Sequence, residues 1–521
     1  MRSTAAASER RRTRPGEWEA GSSDIVVGKD ILELLSSSMY VDPMTIYREY
    51  VQNAADAIDE ARLRGLLAVG EAGCVDLDLD PATRSVRIRD NGTGLAWSTF
   101  EGRLTAFGAS PKRGSTARGF RGVGRLSGLG YCQELVFRSR VEGERHVSEL
   151  RWDCRRLRSA LRSSGNSASL ADVVRDIVFV RQIDGVDWPA RFFEVQLNGV
   201  VRHRNDRLLS APVVEEYLSQ VAPVPFSPDF RFGAEIAAAV RPHVELGDLD
   251  IRVSGAKAPL FRPHRDRFEI DEDEWDTFTG IELREIPGID GGVAAIAWVL
   301  HHGYAGALPV KTRLKGLRLR SGNVQVGEHT LLEELFSEPR FNAWSVGEIH
   351  VVDRRIVPNG RRDHYEQSVH FDNLLNHLSP AARDITRRCR TSSVRRKWLR
   401  EFELHAESAR EKLAILGQGT LAHAERSDLA RDVERLLAAM EKIVGMETLA
   451  LEPENVFRST LDTIRAELAR LTAYVPGTSP LARLPAEKRT MYEHLFSLIY
   501  ACSTNRSAAK ALVDRILLKV T

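Results

Sequence analysis

Along the first part of the chain, from Ile25 to about Ser227, stretches with helical apolar spacing alternate with stretches of period two. Ile46 to Arg64 reads as a helix. Cys74 to Arg89 reads as a hairpin, with Val75, Leu77 and Leu79, then Val86 and Ile88, alternating on either side of an Asp80-Pro81-Ala82-Thr83 turn. Leu135 to Ser139 and Phe193 to Leu197 read as further strands. Between about 228 and 378 the pattern mixes strands (Leu249–Val253, Val293–Leu300, Leu317–Val326, Gly347–Val352) with short helices. Beyond Ser379 the strand signal fades, and Val394–Ala414, Ser427–Val444, Ala450–Leu471 and Ala486–Ala501 carry Leu, Ile, Val and Ala at helical spacing between charges. The expected division is a disordered tail at 1–23, an α/β domain at 24–227, an α+β middle domain at 228–378 and an α-helical C-terminal module at 379–521. The fold class is α+β.

Composition narrows this picture. At 521 residues the chain is too long for one hydrophobic core. No apolar run reaches the roughly 18 residues of a membrane span. Seventy-four Lys and Arg against 72 Asp and Glu leave +2, so no global excess of charge marks an obligate nucleic-acid binder, though local basic faces remain open. The five cysteines are scattered and never form a CxxC pair, which argues against a disulfide scaffold or a zinc ribbon. The first residues are rich in Arg, Ala, Ser and Glu and lack the apolar centre of a signal peptide, so a cytoplasmic location is expected.

Glu49, Asn53 and Asp56 fall at i, i+4 and i+7 and share one helical face. Alone, they read equally as the solvated side of an amphipathic helix. Ten glycines then crowd residues 91–130, a density that suits backbone approaching a ligand or turns of positive φ. Five of them lie in Asp90-Asn91-Gly92-Thr93-Gly94 at a strand end and in Gly119-Phe120-Arg121-Gly122-Val123-Gly124 at an expected helix start. There is no G-x-x-x-x-G-K-[ST], so a P-loop is excluded. Gly122-Val123-Gly124-Arg125-Leu126-Ser127 imitates a dinucleotide fingerprint, but it follows a polar stretch and has Ser127 in place of the third glycine.

In this order the three boxes resemble the GHKL ATPase superfamily, which includes gyrase, HtpG-type chaperones, histidine kinases and MutL. Its E-x-x-x-N-x-x-D-A is met by Glu49, Asn53, Asp56 and Ala57. Its D-x-G-x-G is met by Asp90, Gly92 and Gly94, and its G-x-x-G-x-G by Gly119, Gly122 and Gly124. The resemblance implies a Bergerat-type α/β sandwich that binds ATP with Mg2+. Glu49 would be the base that takes a proton from the attacking water, and Asn53 would offer a neutral oxygen to magnesium. Asp90 would accept from the adenine amino group, with Gly92 and Gly94 admitting the base and Asp56 supporting the pocket. Gly122, Val123 and Gly124 would give phosphates their backbone N–H groups. Phe107 to Arg118 would be a mobile lid, in which Lys112 either touches phosphate or is simply solvated.

The resemblance extends to about residue 378, more loosely. Pro358-Asn359-Gly360-Arg361-Arg362-Asp363 is similar to a middle-domain loop of HtpG-type chaperones that sends an arginine to the γ-phosphate. Arg362 takes that place, Asp363 replaces a glutamate, and a surface basic loop is the competing reading. Lys315 is a second, lower-ranked candidate. One departure stands out: where the chaperones have a Gly-Thr pair entering the last strand, this chain has Ala190-Arg191. His350 is expected to be packed, not a metal ligand, and no Gly-x-Ser-x-Gly elbow points to other hydrolase chemistry. The resemblance implies an ATPase acting as a conformational clamp, expected as a homodimer on a protein client or partner. The alternative is a MORC- or MutL-like clamp on duplex DNA, as in a bacterial anti-phage defence system. The arginines around Arg387–Arg390 and Arg395–Arg400 favour that alternative, and they read equally as a solvated face.

Overall fold

The computed structural model describes residues 42–106, 124–162, 169–202, 205–449, 454–473 and 479–520. The expected N-terminal tail, the lid with Lys112, and Gly119, Gly122 and Val123 lie outside them.

Helix α1 (Thr45–Leu63) starts where the Asp42 carboxylate accepts from Met44 N at 3.1 Å. It ends at Gly65, whose φ of +69° turns the chain so that Leu66 N reaches back to Ala61 O at 2.9 Å. The hairpin β1 (Gly73–Asp80) and β2 (Ser85–Asp90) follows as expected. Its turn is held by the Asp80 carboxylate, which accepts from the N–H groups of Ala82 and Thr83. Next come α2 (Trp97–Thr105), a 3-10 turn at Gly124–Gly130, β3 (Glu134–Arg140), β4 (His146–Asp153), α3 (Cys154–Arg162), α4 (Leu170–Ile177), β5 (Val178–Asp184), β6 (Phe192–Asn198), α5 (Ala211–Val221), α6 (Gly233–Val240) and β7 (Leu249–Val253). These strands form one sheet in the order β5-β4-β3-β6-β2-β1-β7.

Helix α1 packs on this sheet. Tyr47, Tyr50, Val51 and Ile58 share a core with Val75, Leu77, Ile88, Leu135, Phe137 and Leu197. Two differences from the sequence reading matter. Leu249–Val253, expected in the middle block, returns to pair in parallel with β1, so the first sheet extends past residue 227. Gly124 opens a 3-10 turn in place of an α-helix.

The second sheet comprises β10 (Gly280–Pro287), β11 (Val293–His301), β12 (Gly316–Ser321), β13 (Val324–Val326) and β14 (Val346–Val351), ordered β10-β11-β14-β12-β13, after a small hairpin of β8 (Arg267–Asp271) and β9 (Glu274–Thr277). Helix α7 (Val369–Gly417) then runs without a break through residue 379, where a boundary was expected, with Pro380 inside it. Its first part, from Phe371 to Cys389, completes the core of the second sheet. Its last part, from Phe402 to Leu416, packs with α8 (His423–Val444) and α9 (Glu454–Thr472). Helices α10 (Ala486–Cys502) and α11 (Arg506–Val520) close the chain around Phe496 and Val513. No helix among the described residues is long and apolar enough to cross a membrane.

The two sheets meet through buried polar chemistry. Glu348 on β14 lies between two buried guanidinium groups, accepting from Arg320 Nε at 2.6 Å and from Arg262 Nη1. Both arginines also reach the backbone that follows or ends α5. Arg262 Nε donates to Val224 O at 3.0 Å, and Arg320 Nη2 to Gln220 O at 2.6 Å. Burial pulls Arg320 down to about 9 despite its carboxylate partner, while the paired guanidiniums hold Glu348 well below the usual carboxylate range against its own desolvation. His350, packed as expected, sits with Nε2 3.3 Å from Glu348 Oε2, and burial pushes it down to about 4.

Candidate active site

The polar face of α1 looks inward. Glu49 and Asp56 are buried and Asn53 half-buried, because the helix lies against the sheet on one flank and against the Gly124–Gly130 turn on another. Tyr50 fastens that turn: its hydroxyl donates to Arg125 O at 3.2 Å and accepts from Gly128 N at 3.0 Å. Tyr47 OH anchors the opposite side to Leu208 O. Both phenols are raised by desolvation, so they stay neutral donors.

The first two boxes and Gly124, the described end of the third, come together. A Cβ built on Gly124 would collide with Glu49 Oε2, so the third box needs glycine there to pass the first. Gly92 packs on α1, where a Cβ would stand 2.7 Å from the Ala57 Cβ. Asp90, at the end of β2, accepts from Gly92 N through Oδ1 at 2.8 Å. Thr93 N donates to Ala57 O at 3.2 Å, tying the Asp90–Gly94 loop to the helix. Gly94 takes a φ of +69° with its Cα against Arg140 O, a position that excludes a side chain on both counts.

The segment after β14 also arrives here. Arg362 is buried, and its Nε lies 3.8 Å from Glu49 Oε1. Arg48 approaches the same oxygen at 3.5 Å and donates to Arg361 O at 2.9 Å and to Arg362 O at 3.4 Å. Arg362 holds a left-handed φ of +56°, and its carbonyl accepts from Gly327 N at 2.8 Å. Asp363 is spent inside the loop, accepting from Asn359 Nδ2 at 2.6 Å. Glu49 therefore has Oε1 facing two guanidinium groups and Oε2 facing the glycine turn. Among the described residues no ion pair joins Lys315 to Glu49 or Asp90; its charge lies near His329, two residues after the Gly327 that bonds Arg362 O.

Two contributors escaped sequence reasoning. Arg48 has no motif of its own and was masked by the neighbouring Glu49. Arg191 was noticed only as a departure from Gly-Thr, yet its guanidinium reaches the Asp90–Gly94 loop.

Residues 44–174 match the family model described as "Histidine kinase-, DNA gyrase B-, and HSP90-like ATPase". The chain thus carries a GHKL ATPase-type domain, the class that the α1 stripe, the Asp90 loop and the glycine turn define together. Within that class it resembles the chaperone protein HtpG. It is 36% identical to HtpG of Chlorobium phaeobacteroides over 72 residues, 13% of this chain and 12% of that one. It is 28% identical to HtpG of Escherichia coli K12 over 142 residues, 24% of this chain and 23% of the relative. The matches span less than a quarter of these relatives.

Proposed function

We propose that the chain is an ATP-driven conformational clamp in which nucleotide binding at α1 and the Asp90 loop draws in the loop carrying Arg362. The observation that carries this reading is the meeting of Arg362 with Glu49, 313 positions apart, at the face where the first two boxes and Gly124 come together. Adenine is read by Asp90, whose Oδ1 is already held by Gly92 N. The phosphates lie beside Gly124, where it passes Glu49 Oε2. Glu49 Oε2 takes the proton of the attacking water, while Arg48 and Arg362 orient the carboxylate through Oε1. Arg362 then also stabilises charge growing on the γ-phosphate, so hydrolysis is coupled to the second sheet.

The donor set fits magnesium. Asn53 presents a neutral amide beside the Glu49 carboxylate, and no group of three His, Cys, Asp or Glu among the described residues forms an all-protein cage. A hard cation here would keep phosphate and water ligands, and when bound it neutralises phosphate charge.

Two variants test the reading. Asp90→Asn replaces an acceptor oxygen with a donor and is expected to abolish ATP binding by calorimetry. Arg362→Ala is expected to lower turnover by about 10²-fold with ATP affinity nearly kept. Full turnover in Arg362→Ala would remove the coupling between the two sheets.

The HtpG resemblance supports a protein client or partner as the object clamped, held by a homodimer in the cytoplasm. One observation favours duplex DNA instead. Between its two cores α7 exposes Arg388, Arg390, Arg395, Arg396, Lys397 and Arg400. Arg390 pairs with Glu338 at 2.8 Å, Arg396 lies over the Trp344 ring and Lys397 over that of Trp398. Steady-state turnover titrated with duplex DNA separates the two. Stimulation that salt abolishes makes it a DNA clamp of the kind expected in genome defence; indifference to DNA leaves the protein clamp.

A further inference from the structure

We propose that Arg191 is the positioning residue that shapes the adenine loop, standing in for the Gly-Thr pair of the chaperones; this rests on the nucleotide-site reading above. Arg191 immediately precedes β6, next to β2 in the sheet, where Phe193 pairs with Asp90. Its side chain is 9% exposed. Nη1 donates to Asn91 O at 2.6 Å and to Gly92 O at 2.7 Å, and Nη2 to Leu66 O at 3.0 Å just past α1. Glu142 lies 3.7 Å from Nε.

Those two carbonyls belong to consecutive peptide planes. In a trans peptide the C=O and the next N–H point in opposite directions. Holding Asn91 O on the outer side therefore aims Gly92 N–H inward, where it meets Asp90 Oδ1. Holding Gly92 O does the same for Thr93 N–H, which meets Ala57 O on α1. One guanidinium thus sets both planes and, through them, the carboxylate. Leu95 N then donates to Ser139 Oγ at 2.7 Å, and that hydroxyl donates to Phe192 O at 3.0 Å, so the far end of the loop is fixed separately. Without Arg191 the two peptides are free to rotate, and Asp90 loses the N–H that orients it. Arg191 acts through the loop, by the carbonyls of Asn91 and Gly92 that it holds.

The test uses the full chain with ATP and GTP. Arg191→Ala is expected to raise the KM and Kd for ATP about 10- to 100-fold, as for loss of charge-assisted hydrogen bonds. It should leave kcat within about twofold. The preference for ATP over GTP should fall about tenfold, because a misaimed Asp90 no longer selects an amino donor. Arg191→Lys offers a point charge in place of a planar fork and should fall between wild type and Arg191→Ala in KM and in selectivity. It also serves if Arg191→Ala does not fold. A lowered melting temperature with KM and base selectivity unchanged would make Arg191 merely structural and overturn the proposal, as would an Arg191→Lys variant indistinguishable from wild type. Asp90→Asn runs alongside. ATP affinity unchanged in Arg191→Ala but lost in Asp90→Asn overturns the role of Arg191 alone, and absence of ATP binding in wild type overturns it together with the nucleotide reading.

Discussion

Glu49→Gln is expected to cut steady-state ATP turnover by about 10²- to 10⁴-fold, the usual loss when a positioned base is removed, while ATP affinity changes little. The substitution keeps the shape of the side chain, and Oε1 and its two guanidinium neighbours explain why shape and charge must be separated. Alanine would release Arg48 and Arg362 from their shared carboxylate, so lost turnover would mix lost proton transfer with a displaced loop. Glutamine can still accept through its oxygen but cannot take a proton. Turnover within a few fold of wild type in Glu49→Gln, measured by phosphate release, would move the base elsewhere.

The second large effect concerns stability. Glu348→Ala leaves Arg262 and Arg320 buried with no carboxylate between them. Removing one partner from a buried ion pair typically costs about 3–5 kcal/mol, because the remaining charge is uncompensated. Urea unfolding followed by circular dichroism should show a lowered midpoint for the transition that reports the second sheet. Acid should weaken the same region. His264 and His350 are pushed down to about 3 and about 4 by burial, so between these values and an ordinary histidine pKa the unfolded chain binds more protons than the folded one. Stability is then lost as pH falls below about 6.5. Glu348, held low in the fold, adds its own loss at still lower pH. A melting temperature flat from pH 7 to pH 4.5 would contradict this.

Much of the site was legible because its chemistry is local in sequence. A carboxylate, an amide and a second carboxylate on one helical face need only the period of α1, and the Asp90 box needs only a strand end followed by glycines. The β1–β2 hairpin was equally readable from alternation and an Asp-Pro turn. What escaped reading depends on long-range placement. β4 and β5 are interrupted by polar and charged residues that pair across the sheet, as Arg138 does with Glu149, and such strands show weak apolar alternation. β7 reads as an ordinary strand, and nothing local says that it pairs with β1 in place of the second sheet. The fading of the strand signal beyond Ser379 suggested a boundary inside α7, but helix is kept on both sides by two different cores. Arg191 is the sharpest case, since its partners Leu66, Asn91 and Gly92 are brought to it only when the sheet forms.

Helix α7 adds a mechanical consequence. One end is rooted in the core that holds Tyr365, stacked on Phe371 a few residues after Arg362, and the other in the C-terminal helices. From Pro380 to Gly417 an α-helix measures roughly 55 Å. It is a lever arm: each degree of tilt at its root sweeps the far end through about 1 Å, so a tilt of a few degrees against the second sheet would carry α8 and α9 through a few ångströms.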